Sequence, residues 1–196
     1  MSERLQQQIE FIREVDKLKS VLRQSYIMDQ TRRENDAEHT WHITLMAWVL
    51  QEYIEPSEVN LIRVMKMLLV HDLVEIDAGD TFAYDEKGHE DKFEREQAAA
   101  KRIFGLLPKE QRDEMMLLWL EFEERETIEA LYAASMDRIQ PILHNYYTQG
   151  RSWKAHDVRS TQVLARIQFL RKDMPKLYEH IEKLMADAVR QGYIRS

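Results

Sequence analysis

Leu61-Ile62-Arg63-Val64-Met65-Lys66-Met67-Leu68-Leu69-Val70-His71-Asp72 is the most apolar stretch of the chain, and it closes on two polar side chains. Only Arg63 and Lys66 interrupt the apolar run before His71. A helix apolar on most sides is packed by neighbours all round, so this one belongs at the centre of the fold. A His-Asp pair at its end needs a reason. Burying an ionised carboxylate costs several kcal/mol unless something pairs with it, and a metal ion is one such partner.

Working outward, helical periodicity recurs and no convincing strand appears. Leu5, Ile9, Ile12, Val15, Leu18 and Leu22 mark a first helix, with Arg23 at its end. A polar connection runs from about Asp29 to Asp36, and Asp36 is placed to cap a second helix carrying Trp41, Leu45, Met46, Val49 and Leu50. Pro56-Ser57 opens the central third helix, which extends toward Ile76. After a loop from Asp77 to Gly88, further helices are expected over about 92–104, from Leu107-Pro108 to about Glu124, and from about Thr127 to Tyr147. The loop Gln149–Val158 precedes two last helices, 160–172 and 175–191. The expectation is a single all-α domain over 1–196 with seven or eight helices, its main pattern over about 17–143 and the helices of 144–196 packed upon it.

The bulk composition agrees. The chain has 196 residues with only 5 Gly and 4 Pro, which disfavours turn-rich β architectures. It has no Cys, so disulfides and thiolate metal sites are excluded and a reducing, cytoplasmic setting is expected. A net charge of −7 argues against coating a nucleic acid polymer. No apolar run reaches membrane-spanning length, so no membrane association is expected.

On a helix His71 and Asp72 point about 100° apart, yet both can reach one ion placed between those directions. His39, in the first turn of the second helix, is the best further imidazole. His42 shares its face three residues on and makes a competing His-x-x-His pair. Asp137 is the best further carboxylate, since it lies among Leu131, Ala134, Ile139 and Leu143. Pro141, four residues later, removes the usual backbone partner of its carbonyl. The string Gln149-Gly150-Arg151-Ser152-Trp153-Lys154 joins two cations to an aromatic ring, which suits a cap over a substrate pocket; Lys154 is its substrate-binding candidate.

The order His39, His71-Asp72, Asp137 resembles the H…HD…D pattern of the HD-domain metal-dependent phosphohydrolases. The segments Glu34-Asn35-Asp36-Ala37-Glu38-His39, His71-Asp72-Leu73-Val74-Glu75-Ile76-Asp77-Ala78-Gly79-Asp80 and Met136-Asp137-Arg138-Ile139-Gln140-Pro141 are similar to those of its 5'-deoxynucleotidase-like branch. The resemblance spans about Lys17 to Leu143. It implies the HD-domain helical fold, a homodimer, and one divalent ion held by His39, His71, Asp72 and Asp137. That donor set suits Mn, Co, Ni, Zn or Fe, and Mg more weakly. Only His89 stands between the HD pair and the last Asp, which favours one metal over two.

The implied activity is hydrolysis of a small phosphomonoester, with a nucleoside 5'-monophosphate as leading substrate class. Glu75 and Asp80 would orient and deprotonate water and protonate the leaving oxygen, in either order. Arg23 matches the family's phosphate-contacting Arg. Family members often follow that Arg with Trp, whereas this chain has Gln24, so the resemblance does not extend to the residue that packs near the sugar. Cleavage of a nucleoside triphosphate or a cyclic phosphodiester is the enzymatic alternative, and a metal- or nucleotide-sensing HD module without turnover is the other.

Overall fold

The structure, a computed structural model, describes residues 2–55 and 59–196. The expected helix opening at Pro56-Ser57 lies outside them. Helix α1 (Glu3–Val15) starts where the Ser2 side chain accepts from the Leu5 amide. A 3-10 turn over Asp16–Ser20 then delivers the chain into an antiparallel pair, β1 (Leu22–Tyr26) and β2 (Arg33–Asn35). This hairpin corrects the strand-free reading and moves Arg23 from a helix end onto a strand. Its strands are short and polar, without the alternation that marks a half-buried strand. The turn defines it instead: Thr31 donates from both its amide and its hydroxyl to Asp29 Oδ1, beside Gln30 at φ 66°.

Helix α2 (Asp36–Val49) is capped by Asn35, not by Asp36. Asn35 and Glu38 form a reciprocal capping box, and Asp36 becomes a fully buried first-turn residue. The apolar stretch forms α3 (Leu61–Val70), tightens into a 3-10 turn over His71–Val74, and ends in the short α4 (Glu75–Ala78). Gly79, at φ 76°, stops it. Then come α5 (Lys92–Phe104), α6 (Lys109–Glu124), α7 (Ile128–Tyr147), α8 (Arg151–Ala155), α9 (Ser160–Ile167), α10 (Leu170–Asp173) and α11 (Pro175–Arg190). Helices outnumber the expected seven or eight because the central helix is interrupted at its end, 160–173 is broken near Gln168, and the expected loop 149–158 contains α8. Helix α7 runs unbroken through Pro141.

The central position of α3 follows from its composition. Val64, Met67 and Leu68 are fully buried in a cluster that also holds Ile43 of α2, Met136 and Ile139 of α7, and Ile181 of α11. A second cluster joins Val70, Leu73 and Val74 to Ile103, Phe104 and Trp119 of α5 and α6. Each such side chain contributes roughly 1.5–3 kcal/mol on burial. The polar pair His71-Asp72 is thereby pinned between two apolar clusters. At the far end of the chain, Gly150 precedes α8 at φ 75°, and a Cβ there would fall 1.8 Å from the Tyr193 carbonyl oxygen. The Ser160 amide donates to the Arg195 carbonyl at 2.8 Å, which fastens the same segment to α9. Among the described residues no helix is long and apolar enough to cross a membrane.

Candidate metal centre

His39, His71, Asp72 and Asp137 arrive from α2, from the 3-10 turn and from α7, and the fold brings them together. His39 Nε2 lies 3.1 Å from Asp137 Oδ1 and 3.9 Å from Asp72 Oδ2. His71 Nε2 lies 3.0 Å from Asp72 Oδ1 and 3.9 Å from Asp137 Oδ1. His71 itself is still wound as α-helix, its amide bonded to Met67 O four residues back, and its ring folds back over the preceding turn. Nδ1 donates to Leu68 O at 2.8 Å. That bond puts a proton on Nδ1 and turns Nε2 toward two carboxylates without a hydrogen-bond partner of its own, so that a bound ion would meet its lone pair.

Imidazole nitrogens and carboxylate oxygens that converge in this way fit a cation. Imidazole and carboxylate donors in this number suit a first-row divalent ion. The titration behaviour reflects the same demand. Burial opposes charge on His71, but the Asp72 carboxylate overcomes it and raises the imidazole to about 9. Burial likewise disfavours the Asp72 anion, yet His71 and Arg23 hold it down to about 2. Asp137 is held far below the carboxylate range by the His39 contact, against its burial.

Arg23 reaches this cluster from β1. Its Nη1 donates at 3.1 Å both to Asp36 Oδ1 and to Asp72 Oδ2. Glu75 is buried, and burial with Asp72 and Asp36 nearby pushes its pKa well up. Asp80 is half-buried beyond Gly79, and burial also raises it. All three line a cavity of about 390 Å³ together with His71, Asp72 and Asp137. Trp153 of α8 lines the same cavity, as the cap reading anticipated. Lys154 does not. It is exposed and lies 5.5 Å from the Tyr193 ring, in a separate groove. On a helix its side chain departs about 100° from that of Trp153, which takes the inward position.

Behind His39 lies a second polar group. Glu34 Oε2 is 3.8 Å from His39 Nδ1 and 3.8 Å from His144 Nδ1. Gln140 fills the space between them: its amide nitrogen donates to Glu34 Oε1 at 2.6 Å and lies 3.1 Å from His144 Nε2. His42, 3.4 Å from that nitrogen, belongs here and not to the first cluster. Burial raises Glu34 to about 7 and lowers His144 to about 4. Glu38 is spent on its capping box and on Arg32, 2.6 Å away.

Sequence reasoning missed the other wall of the cavity. Phe82 and Tyr84 supply its aromatic surface, and Lys92 pairs with the buried Glu96 at 2.7 Å. Arg125, Arg138 and Arg166 also line it. Burial, with Arg125 and Arg166 close by, pulls Arg138 down to about 10. A Lys and a Glu four residues apart read as an ordinary solvated helix pair, and scattered arginines carry no spacing signal.

The HD domain family model matches residues 15–178. The human 5'-deoxynucleotidase HDDC2 is 32% identical over 136 residues, 69% of this chain; the matched stretch spans 65% of that protein's own length. The Dictyostelium discoideum protein of the same name is 31% identical over 143 residues, 70% of this chain and 75% of its own. A predicted metal-dependent phosphohydrolase from Magnetospirillum magnetotacticum superposes with a TM-score of 0.91 at 48% identity, covering 98% of this chain and 96% of that one. An HD-domain phosphohydrolase from Listeria innocua shares the fold alone, with a TM-score of 0.71 at 16% identity over 94% of this chain and 90% of its own. With its four donors converging where the HD pair ends the central helix, this chain belongs to the HD domain family.

Proposed function

We propose that the chain is a metal-dependent phosphohydrolase that cleaves small phosphomonoesters, with nucleoside 5'-monophosphates as the leading substrate class. The observation that carries the reading is the convergence of His71 Nε2 on the Asp72 and Asp137 carboxylates, the ring being oriented by the bond from Nδ1 to Leu68 O. The substrate class is supported by the relatives named 5'-deoxynucleotidase.

His39, His71, Asp72 and Asp137 would hold one divalent ion. Such an ion supplies Lewis acidity, lowering the pKa of water and offsetting charge on phosphate oxygens. Arg23 is held in place by Asp36 and Asp72 through Nη1 alone, which leaves other guanidinium donors for phosphate oxygens. Glu75 and Asp80 handle protons. One accepts the proton of the attacking water while the new P–O bond forms, and the other protonates the alcohol oxygen as the ester P–O bond breaks. Trp153, Phe82 and Tyr84 exclude water from the far side of the cavity.

A homodimer is part of the proposal. Trp41 and Trp48 of α2 are 65% and 57% exposed, and with Leu69 of α3 they line one apolar groove. Apolar surface of this kind marks interaction sites.

The test is phosphate release from a panel of nucleotides and sugar phosphates by metal-stripped protein reloaded with single divalent ions. The proposal expects release that depends on metal and is lost in Asp72→Ala. Absence of release from every substrate, with Asp72→Ala behaving identically, overturns it.

A further inference from the structure

The cavity is lined by cations in two different settings. Arg23 lies among Asp36, Asp72, Glu34 and Asp137, with the closest contacts at 3.1 Å. Arg125, Arg138 and Arg166 line the same space, and among the described residues none of the three has a carboxylate within 4.0 Å. All three side chains are half-buried, so solvent screens their mutual repulsion incompletely.

Two of the guanidiniums are already aimed. Arg138 Nη1 donates to the Arg166 carbonyl at 2.6 Å, and the guanidinium lies over Phe169. Arg166 Nη1 donates to the Ala83 carbonyl at 2.9 Å, and its guanidinium is 5.6 Å from the Tyr84 ring. Each bond uses one nitrogen and fixes the plane, leaving the rest of the fork for a ligand. Arg125 has a left-handed backbone, and its buried Nε has no partner at all. Planar, oriented guanidiniums match the oxygens of phosphate or carboxylate in pairs, and their orientation before binding lowers the entropy cost.

We propose that Arg125, Arg138 and Arg166 form an anion subsite, and that the natural substrate is a phosphomonoester bearing a second anionic group that docks there. The inference rests on the phosphohydrolase reading for its substrate and on the arginine geometry for its subsite. A simple monophosphate held at the His-Asp cluster would leave these guanidiniums without a counter-ion, whereas a bisphosphate would supply one.

The experiment compares kcat/KM for a deoxynucleoside 5'-monophosphate and the matching 3',5'-bisphosphate, in the wild type and in Arg125→Gln and Arg166→Gln. In parallel, calorimetry measures binding of the bisphosphate and of inorganic phosphate to Asp72→Ala, with and without Arg166→Gln. The wild type is expected to favour the bisphosphate by about tenfold or more, with the ratio falling to about twofold in the arginine variants. Turnover of both substrates without preference overturns the subsite and leaves the phosphohydrolase reading intact. Bisphosphate binding that weakens about tenfold in Arg166→Gln, with no turnover of any phosphomonoester, supports the subsite and overturns the function. Inorganic phosphate binding as tightly as the bisphosphate, and equally sensitive to Arg166→Gln, overturns the assignment to substrate in favour of a separate effector anion.

Discussion

Two His-carboxylate groups flank the His39 ring, and they differ in what fills them. In front, the imidazoles of His39 and His71 face the carboxylates of Asp72 and Asp137, and Arg23 donates to Asp72 from one side. Behind, Glu34, His42 and His144 surround the amide nitrogen of Gln140, which donates into the space between them. Both groups have the residue types of a metal site and both are brought within ligand distance of a common point. The neutral amide of Gln140 stands between the side chains of the back group, whereas in front the donors face one another directly, so the front group is the candidate for a cation. Residue type and spacing alone cannot make that distinction; hydrogen-bond direction can.

The sharpest way to break the comparison is to remove front donors. Asp72→Ala and His71→Ala should abolish stoichiometric metal retention and lower phosphate release on the order of a thousandfold, as expected when several kcal/mol of charge stabilisation is lost. Metal analysis of the purified variants and a phosphate assay read both. Retention of metal in Asp72→Ala would place the ion elsewhere.

Next in size is the link between the groups. Glu34 Oε2 stands 3.8 Å from His39 Nδ1, beyond a hydrogen bond, but its charge favours a proton on that nitrogen, the tautomer that would offer Nε2 to an ion. Glu34→Gln should weaken metal affinity by roughly 10–100-fold, measured by chelator competition. Gln140→Leu acts on the back group alone. It leaves Glu34 and His144 without their shared donor and should cost about 1–3 kcal/mol in urea unfolding, with metal affinity less affected than in Glu34→Gln.

The back group also gives opposing pH dependences. His144, lowered to about 4 in the fold from 6.5, contributes stability that is present above pH 6.5 and lost as pH falls toward 4. Glu34, raised from 4.5 to about 7, contributes stability that is present below pH 4.5 and lost as pH rises through 7. The two slopes oppose each other between pH 4.5 and 6.5. Thermal melts of Glu34→Gln should therefore rise more steeply over that window than those of the wild type, and a flatter profile would contradict the pairing. The smallest effect belongs to Lys154→Ala, which should leave kcat/KM within about twofold because the side chain stands outside the cavity.

What was legible in the sequence was what chemistry and period encode locally. The apolar run 61–70 announced a central helix, and the order of His and Asp announced its polar end. The helices over 92–104, 109–124 and 128–147 are set off by clear breakers and caps, and they fall where expected. The hairpin carrying Arg23 was hidden because its order comes from an Asp29 turn and from pairing, not from alternation. The 3-10 tightening at His71 was hidden because it arises from packing between two clusters. Arg125, Arg138 and Arg166 come from three separate helices or their ends, and only the tertiary fold places them on one wall. Lys154 was misplaced by reading a helical turn as a loop, where neighbouring side chains are free to point together.

The close approach of Gly150 to Tyr193 has a practical side. The backbone that any side chain at 150 would strike is that of Tyr193, two residues before Arg195, whose carbonyl accepts from the Ser160 amide. An affinity tag placed after Ser196 extends directly from that segment, while one placed ahead of Ser2 extends from α1. Where the tag is attached thus becomes a variable in any assay of this protein, and a preparation that looks inert should be remade with the tag at the opposite end before its activity is judged.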